Sequence, residues 1–158
     1  MKTLMRGLLA ASLLAAAAVQ AQVPQYGPNI TLEQAKKVMA AADAEARKNN
    51  WPVAIAILDT AGLLVLYQKH DNTQTASVEV AQDKGRSAAI YRRSTKVFQD
   101  LYTKGGTGAR VIGLRGANVI EGGLPIVVDG KVIGGIGVSG VTSEQDGEIA
   151  KAGVDALK

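Results

Sequence analysis

The chain has 158 residues, of which 47% are hydrophobic and 20% are charged, with a formal net charge of +4. This composition predicts one globular domain and is not typical of a disordered chain or a repeat array. Cysteine is absent, which excludes disulfide bonds, iron–sulfur clusters, cysteine-bound zinc and a thiol nucleophile. His70 is the only histidine, so one chain cannot form a zinc site of the two-histidine HExxH type.

The N-terminal segment, residues 1–21, has the composition of a signal peptide. Lys2 and Arg6 give it a positive start, and residues 7–19 are almost wholly apolar. The apolar run is about 13 residues long, shorter than the roughly 20 residues that span a bilayer. We therefore expect export with cleavage before Gln22, rather than a membrane anchor.

The remaining residues, 22–158, are predicted to form one mature domain that is periplasmic or secreted and not held in a membrane. Of the 18 basic residues, Lys2 and Arg6 belong to the leader, so 16 remain against 14 acidic residues and the net charge falls to +2. Because half of the net positive charge is lost with the leader, no nucleic-acid partner is predicted.

Hydrophobic periodicity and turn residues predict the secondary structure of the mature domain. Thr31 with Gln34, and Thr142 with Gln145, fit the capping box that starts a helix. The predicted order is an extended arm at 23–29, a helix from Thr31 to Asn49, strands at 53–58 and 63–67, helices at 75–91 and 95–102, a further short strand near 111–114, strands at 124–128 and 131–138 around an Asp129-Gly130 turn, and a last helix after Thr142. This order predicts an α+β domain in which helices cover a mostly antiparallel sheet.

A glycine-rich stretch at 135–140 matches the GxGxxG pattern of dinucleotide-binding folds. The context does not fit, because that unit needs a second parallel strand and an acidic residue about 20 positions later. We interpret these glycines instead as a thin strand that a neighbouring backbone, a subunit or a flat ligand approaches closely.

Two sets of side chains are candidate metal ligands. His70 ends the second predicted strand, where it can face a cleft and coordinate haem iron or another metal, although a solvent-exposed loop histidine is the alternative. Glu79 and Asp83 are four residues apart on a predicted helix and share one face, as a weak metal site requires. The alternative for this pair is neutralisation by Lys84 and Arg86 on the same helix.

Arg92 follows Tyr91 at the end of the same predicted helix. A cation there stabilises a helix C-terminus, and a guanidinium can equally bind the carboxylate of a ligand. The chain has no GxSxG nucleophile elbow, so hydrolysis is not predicted.

An ordered set of motifs runs through the mature chain. It consists of TLEQA at 31–35, AIAILDTAG at 54–62, SVEVAQDK at 77–84, GGLPI at 122–126, DGKVIGGIGVSG at 129–140 and the pair Gln145-Asp146. With these motifs the chain resembles the GlcG/HbpS-like family of haem-binding proteins over essentially the whole mature domain.

This resemblance implies a profilin-like α+β fold, in which helices flank a five-stranded antiparallel sheet, and assembly into homo-oligomers. It also implies haem binding, with haem degradation or redox-linked signalling in some relatives and links to cobalamin or glycolate metabolism in others. We expect the macrocycle in a cleft near the second helix and the glycine-rich strand. In this arrangement Lys84, Arg86 or Arg92 would pair with the propionates, and His70 would ligate iron.

The chain departs from its relatives at two positions. Some exported relatives carry a Glu-x-x-Glu iron motif on the second helix, whereas here Glu79 is followed by Gln82 at the second position. Some have a threonine considered a haem ligand where this chain has Ala117. The resemblance therefore leaves His70 or Tyr91 as the available axial ligands.

The leading hypothesis is thus an exported protein that binds haem or another tetrapyrrole and senses, carries or degrades it. One alternative is a non-catalytic module that oligomerises through small-residue surfaces such as 134–140. Another is an enzyme acting on a small organic acid or on haem itself, with Arg92 or Arg115 binding a carboxylate.

Overall fold

The computed structural model describes residues 23–158, so the predicted signal peptide at 1–21 lies outside the described residues. The elements are β1 (Gln25–Tyr26), α1 (Leu32–Lys48), β2 (Ala54–Asp59), β3 (Leu64–Lys69), α2 (Ser77–Tyr91), α3 (Thr95–Lys104), a 3₁₀ segment (Gly106–Gly113), β4 (Gly123–Val128), β5 (Lys131–Ser139) and α4 (Ser143–Asp155). None of the helices in this part of the chain is both long and apolar enough to cross a bilayer.

The starts of α1 and α4 are confirmed as capping boxes. The Thr31 and Thr142 side chains each accept a hydrogen bond from the backbone N–H three residues on, and the glutamine at that position accepts one from the threonine N–H. These bonds satisfy N–H groups that a helix start leaves unpaired. The further strand predicted near 111–114 is wrong, because this stretch continues the 3₁₀ segment into a loop.

The sheet has five strands, as expected, but its pairing is mixed rather than purely antiparallel. β5 is central and pairs antiparallel with β2 on one edge and with β4 on the other, while β3 pairs antiparallel with the outer edge of β2. β2 reaches only as far as Gly134 of β5. β1 pairs in parallel with residues 131–132 of β5, along the part of that edge that β2 leaves free.

The two faces of the sheet are covered by different helices. In β2 the side chains alternate, so that Ile55 and Ile57 join the main core with α1 and α4. Ala54, Ala56 and Leu58 point to the other face, where Ala81 of α2 packs on them. This alternation follows from the two-residue period of a strand, and it places the small side chains of Ala54 and Ala56 on the α2 face.

Glycines bring the backbones of α2 and β5 into direct contact. A Cβ atom on Gly137 would overlap the carbonyl oxygen of Ala81 and lie 2.9 Å from Cα of Gly85. A Cβ on Gly85 would lie 2.8 Å from the backbone nitrogen of Gly137. The sequence left open whether a neighbouring backbone, a subunit or a flat ligand approaches the glycine-rich strand. The structure shows that the neighbouring backbone of α2 does so. The cleft expected near α2 and the glycine-rich strand does not lie between these two elements, because their backbones are in contact there.

A buried ion pair joins α2 to β5 and α4. The Lys84 ammonium donates to the carbonyl oxygen of Val138 at 3.0 Å and lies 2.8 Å from Oδ2 of Asp146. The two side chains are only 2% and 3% exposed. Burial raises the pKa of Asp146, and the charge of Lys84 beside it opposes that rise. Each charge in this pair therefore depends on the other, since a buried charge without a partner is strongly disfavoured.

Replacement of Gly137 by alanine tests the backbone contact. We expect Gly137→Ala to lower the free energy of unfolding by about 1–3 kcal/mol, because α2 must move away from β5 to admit the methyl group. The matched control is Gly113→Ala, where a Cβ would meet nothing within 4 Å. Urea unfolding compares the two, and equal stabilities would contradict the contact.

Removal of one member of the ion pair tests its energetic role. Lys84→Met leaves Asp146 buried without its cation, so we expect a loss of about 3–5 kcal/mol in the free energy of unfolding. The double variant Lys84→Met/Asp146→Leu should regain most of that loss, because it buries no charge. Lys96→Met, at an exposed lysine paired with Asp100, is the control and should cost no more than about 1 kcal/mol. A double variant as unstable as the single one would contradict the interpretation.

Candidate functional site

A cleft of about 820 Å³ opens on the sheet face opposite α2, where the end of α1 meets the end of β3 and the start of β2. Its volume lies within the range of small-molecule and cofactor sites, roughly 300–1,000 Å³. The residues that line it and matter to its chemistry are Asp43, Arg47, Trp51, Pro52, Lys69 and His70. His70 is thus in a cleft, as one of its two sequence interpretations expected.

The sequence forms this cleft through local backbone geometry. α1 ends at Lys48, and Asn50 adopts a left-handed conformation with φ 56°, which asparagine tolerates better than most residues. The chain therefore reverses, and the Trp51 N–H donates to the carbonyl oxygen of Ala46 at 2.9 Å. The reversal places Trp51 and Pro52 along one wall of the cleft, with Trp51 also packed against the main core.

Asp43 is the centre of the polar contacts in the cleft. Its Oδ1 accepts a hydrogen bond from the Gln68 side-chain amide at 2.6 Å and lies 2.6 Å from Nε2 of His70. Its Oδ2 accepts a hydrogen bond from Nε of Arg47 at 2.8 Å. Gln68 and His70 reach the same carboxylate because residues two apart on an extended chain share a face. The His70 N–H continues the pairing beyond β3 by donating to the carbonyl oxygen of Val53 at 3.0 Å.

The electrostatics of the cleft keep Asp43 ionised. Burial acts to raise the pKa of Asp43, but the hydrogen bonds and charges of Arg47 and His70 outweigh it and hold that pKa below its ordinary value. An ionised carboxylate oxygen can only accept a hydrogen bond, so the Nε2 atom 2.6 Å from it carries the hydrogen. His70 is well enclosed, with 13% of its side chain exposed, whereas Arg47 is 66% exposed.

The structure does not bring His70 together with the other predicted haem ligands. Lys84 is buried in its pair with Asp146, so its ammonium is not available to a propionate at the surface. Arg86 lies on α2, where its side chain covers Gly62 of the turn between β2 and β3. These residues belong to the α2 face of the sheet, while His70 and Asp43 belong to the α1 face.

Tyr91 and Arg92 lie at the C-terminal end of α2 and make contacts of their own. The Tyr91 hydroxyl donates to the carbonyl oxygen of Arg115 at 2.8 Å. Arg92 donates to the carbonyl oxygen of Pro24 at 3.1 Å, and its guanidinium lies 5.0 Å from the ring centroid of Tyr26. Arg92 thus fastens the N-terminal arm to α2. This role differs from carboxylate or propionate binding, the two functions that the sequence suggested for it.

The candidate metal ligands do not converge either. Glu79 and Asp83 are exposed on α2, one helical turn apart, and His70 lies across the sheet from them. Within residues 23–158 no group of three or more histidine, aspartate or glutamate side chains is arranged to hold a metal ion. His70 and the Glu79–Asp83 pair therefore cannot form one shared site in a single chain.

Sequence reasoning missed Asp43, Arg47, Gln68 and Trp51. Two signals were present: Asp43 and Arg47 are four residues apart on α1, and Gln68 and His70 are two apart at the end of a strand. Both spacings predict shared faces. The packing of α1 across β3 is a long-range contact, however, and no local pattern specifies it.

Comparisons with known proteins agree with this architecture. A family model described as "Haem degrading protein HbpS-like" matches residues 30–155. Protein GlcG of Escherichia coli K12 is 38% identical over 110 residues, which cover 70% of this chain and 81% of GlcG.

Two solved structures share the fold over most of their length. A double mutant of HbpS from Streptomyces reticuli has a TM-score of 0.76 at 25% identity, covering 96% of this chain and 99% of that one. A structure described as the PduOC:Heme complex has a TM-score of 0.74 at 25% identity, covering 82% of this chain and 96% of that one. From its sequence, its fold and these matches, the chain belongs to the HbpS-like family.

Proposed function

We propose that the mature protein binds haem or a related tetrapyrrole in the cleft beside His70. The observation that carries this proposal is that the only histidine of the chain lies in an 820 Å³ cleft and is held there by a carboxylate. Membership of the HbpS-like family supports the class of ligand, as does the shared fold of a relative solved as a heme complex.

The residues of the cleft fit a tetrapyrrole in three respects. His70 offers a nitrogen ligand of the kind that haem iron takes. Trp51 and Pro52 form an apolar wall against which a flat macrocycle can bury surface. Arg47 and Lys69 are exposed cations at the same cleft, suited to propionates. Haem, when bound, supplies the iron chemistry, and the residues of the chain hold and orient it.

We further propose that the protein acts in the periplasm or outside the cell. The leader-like composition of residues 1–21 supports this location. An exported tetrapyrrole-binding protein can sense, carry or degrade its ligand, and the three roles share the same binding step.

We also propose that the protein assembles into a homo-oligomer. The support is a set of exposed apolar side chains, here called the α3 patch, which consists of Val97, Leu101 and Tyr102 of α3, Ile112 of the 3₁₀ segment and Leu114 directly after it. Gly108 of the 3₁₀ segment is in direct contact with the backbone of Leu101, so the two elements pack against each other. Ile112 is 65% exposed. Exposed apolar side chains grouped in this way are typical of protein interfaces.

This patch is a different surface from the one that the sequence suggested for assembly. Gly134, Gly135 and Gly137 of β5 are buried, with the backbones of β2 and α2 against them. The small-residue stretch at 134–140 therefore serves packing within one subunit, which corrects the expectation that it mediates oligomer formation.

Titration of the mature protein with hemin tests the proposed site. We expect a Soret band whose position and intensity depend on His70, so that His70→Ala changes the band and weakens binding. Tyr91→Phe is the matched control and should leave the band unchanged, because Tyr91 lies at the far end of α2 across the sheet. A wild-type protein without a Soret change would contradict haem binding, and a His70→Ala protein identical to wild type would contradict the site.

Fluorescence of the single tryptophan gives a second measurement of the location. Trp51 is the only tryptophan of the chain and lines the same cleft as His70. We expect hemin to quench its emission with the same saturation as the Soret change, because a haem in the cleft lies close to the indole. Soret saturation without quenching would place the ligand elsewhere.

Light scattering on the purified mature protein tests the assembly. We expect a mass greater than that of one subunit and a reduced mass for the double variant Leu101→Glu/Ile112→Glu, since burying these carboxylates in an interface is costly. Leu63→Glu, at an exposed leucine in the turn between β2 and β3, is the control and should keep the wild-type mass. A monomeric wild type, or equal masses for all three proteins, would contradict the proposed interface.

A further inference from the structure

The contacts of His70 make its two ring nitrogens unequal. Nε2 lies 2.6 Å from Oδ1 of Asp43, and Nδ1 has no hydrogen-bond partner among the described residues. In a neutral imidazole one nitrogen donates and the other accepts or ligates. Because Nε2–H donates its hydrogen bond to Asp43, the lone pair available to a ligand is on Nδ1.

The carboxylate of Asp43 is itself held from two further directions. Gln68 of β3 donates to Oδ1, and Arg47, one turn along α1, donates to Oδ2. Oxygens fixed by donors on two different elements cannot rotate freely. The orientation of the His70 ring is therefore set by the packing of α1 on β3, and not by the loop in which His70 lies.

We propose that Asp43 is a positioning residue for the tetrapyrrole site: it fixes His70 as the Nε2-protonated tautomer and presents Nδ1 to the metal. This inference rests on the proposed function, since it assigns the ligating atom of the same cleft. A carboxylate on the second nitrogen of a ligating histidine orients the ring and raises its basicity as a ligand. Arg47 and Gln68 act indirectly, because their hydrogen bonds hold the Asp43 carboxylate in place.

Ligation of the metal through Nε2 instead of Nδ1 would give a different experimental result. If Nε2 were the ligating atom, the bond to Asp43 would have to break before the metal could bind. Removal of the carboxylate would then strengthen binding, because that bond would no longer compete. The effect of an Asp43 substitution on affinity therefore has opposite signs in the two arrangements.

The first test uses the protein without ligand. His70 is the only histidine, so ¹⁵N NMR of the labelled mature protein reports on one imidazole. At about pH 8 we expect wild type to show a hydrogen on Nε2 and Asp43→Ala to show a mixture of the two neutral tautomers. Asp43→Asn keeps an acceptor oxygen and should restore much of the Nε2 preference. A wild-type ring protonated at Nδ1 would overturn the inference.

The second test measures hemin binding and the midpoint potential of the bound iron. We expect Asp43→Ala to weaken binding by about 10- to 100-fold. Asp43→Asn should weaken it less and move the midpoint potential to a more positive value, because a less basic imidazole stabilises ferric iron less. The control is Glu33→Gln, at an exposed carboxylate on α1 that pairs with Lys36. It should match wild type in both measurements.

The outcomes separate this inference from the function on which it rests. If wild type binds no hemin, the proposed function fails, whatever tautomer NMR reports. If wild type binds hemin through His70 but Asp43→Ala binds equally well or more tightly, the proposed function stands and the role of Asp43 is overturned. Weaker hemin binding by the Asp43 variants without a change in tautomer or in the potential of the bound iron would also overturn it, since that result would mark Asp43 as merely structural.

Discussion

The contact between the backbones of α2 and β5 decides where a ligand can bind in this protein. Gly85 on the helix and Gly137 on the strand lack side chains, so the two elements approach until their main chains touch. Such an approach removes the space that side chains would otherwise keep between a helix and a sheet. The α2 face is consequently closed, and the cleft forms on the other face, at the end of α1.

Basic side chains have different roles on the two faces of the sheet. Lys84 is enclosed with Asp146, where its charge connects α2, β5 and α4 and cannot meet a ligand. Arg47 holds the carboxylate of Asp43 with one nitrogen and leaves the rest of its guanidinium exposed. Burial, and not residue type, determines which cations can contribute to binding.

The features that the sequence predicted correctly are those with local causes. The capping boxes at Thr31 and Thr142 depend on residues three apart, and the Asp129-Gly130 turn depends on two adjacent residues that adopt positive φ. The parallel pairing of β1 with β5 was not predicted, because it depends on how far β2 extends along β5. The 3₁₀ segment was taken for a strand at 111–114, where a short apolar run does not distinguish the two.

In the candidate site, too, the sequence predicts what has a local cause and misses what depends on long-range contacts. His70 could be singled out because it is the only histidine, but its partner Asp43 lies 27 residues earlier and nothing local connects the two. The resemblance assigned Lys84 to a haem propionate, whereas the structure gives it a buried partner 62 residues away, which no local pattern specifies.

The cleft lies outside the backbone contact between α2 and β5 and outside the buried ion pair. Its walls come from α1, the turn after it and the end of β3. A molecule bound there would leave both the backbone contact between α2 and β5 and the buried Lys84–Asp146 pair unchanged.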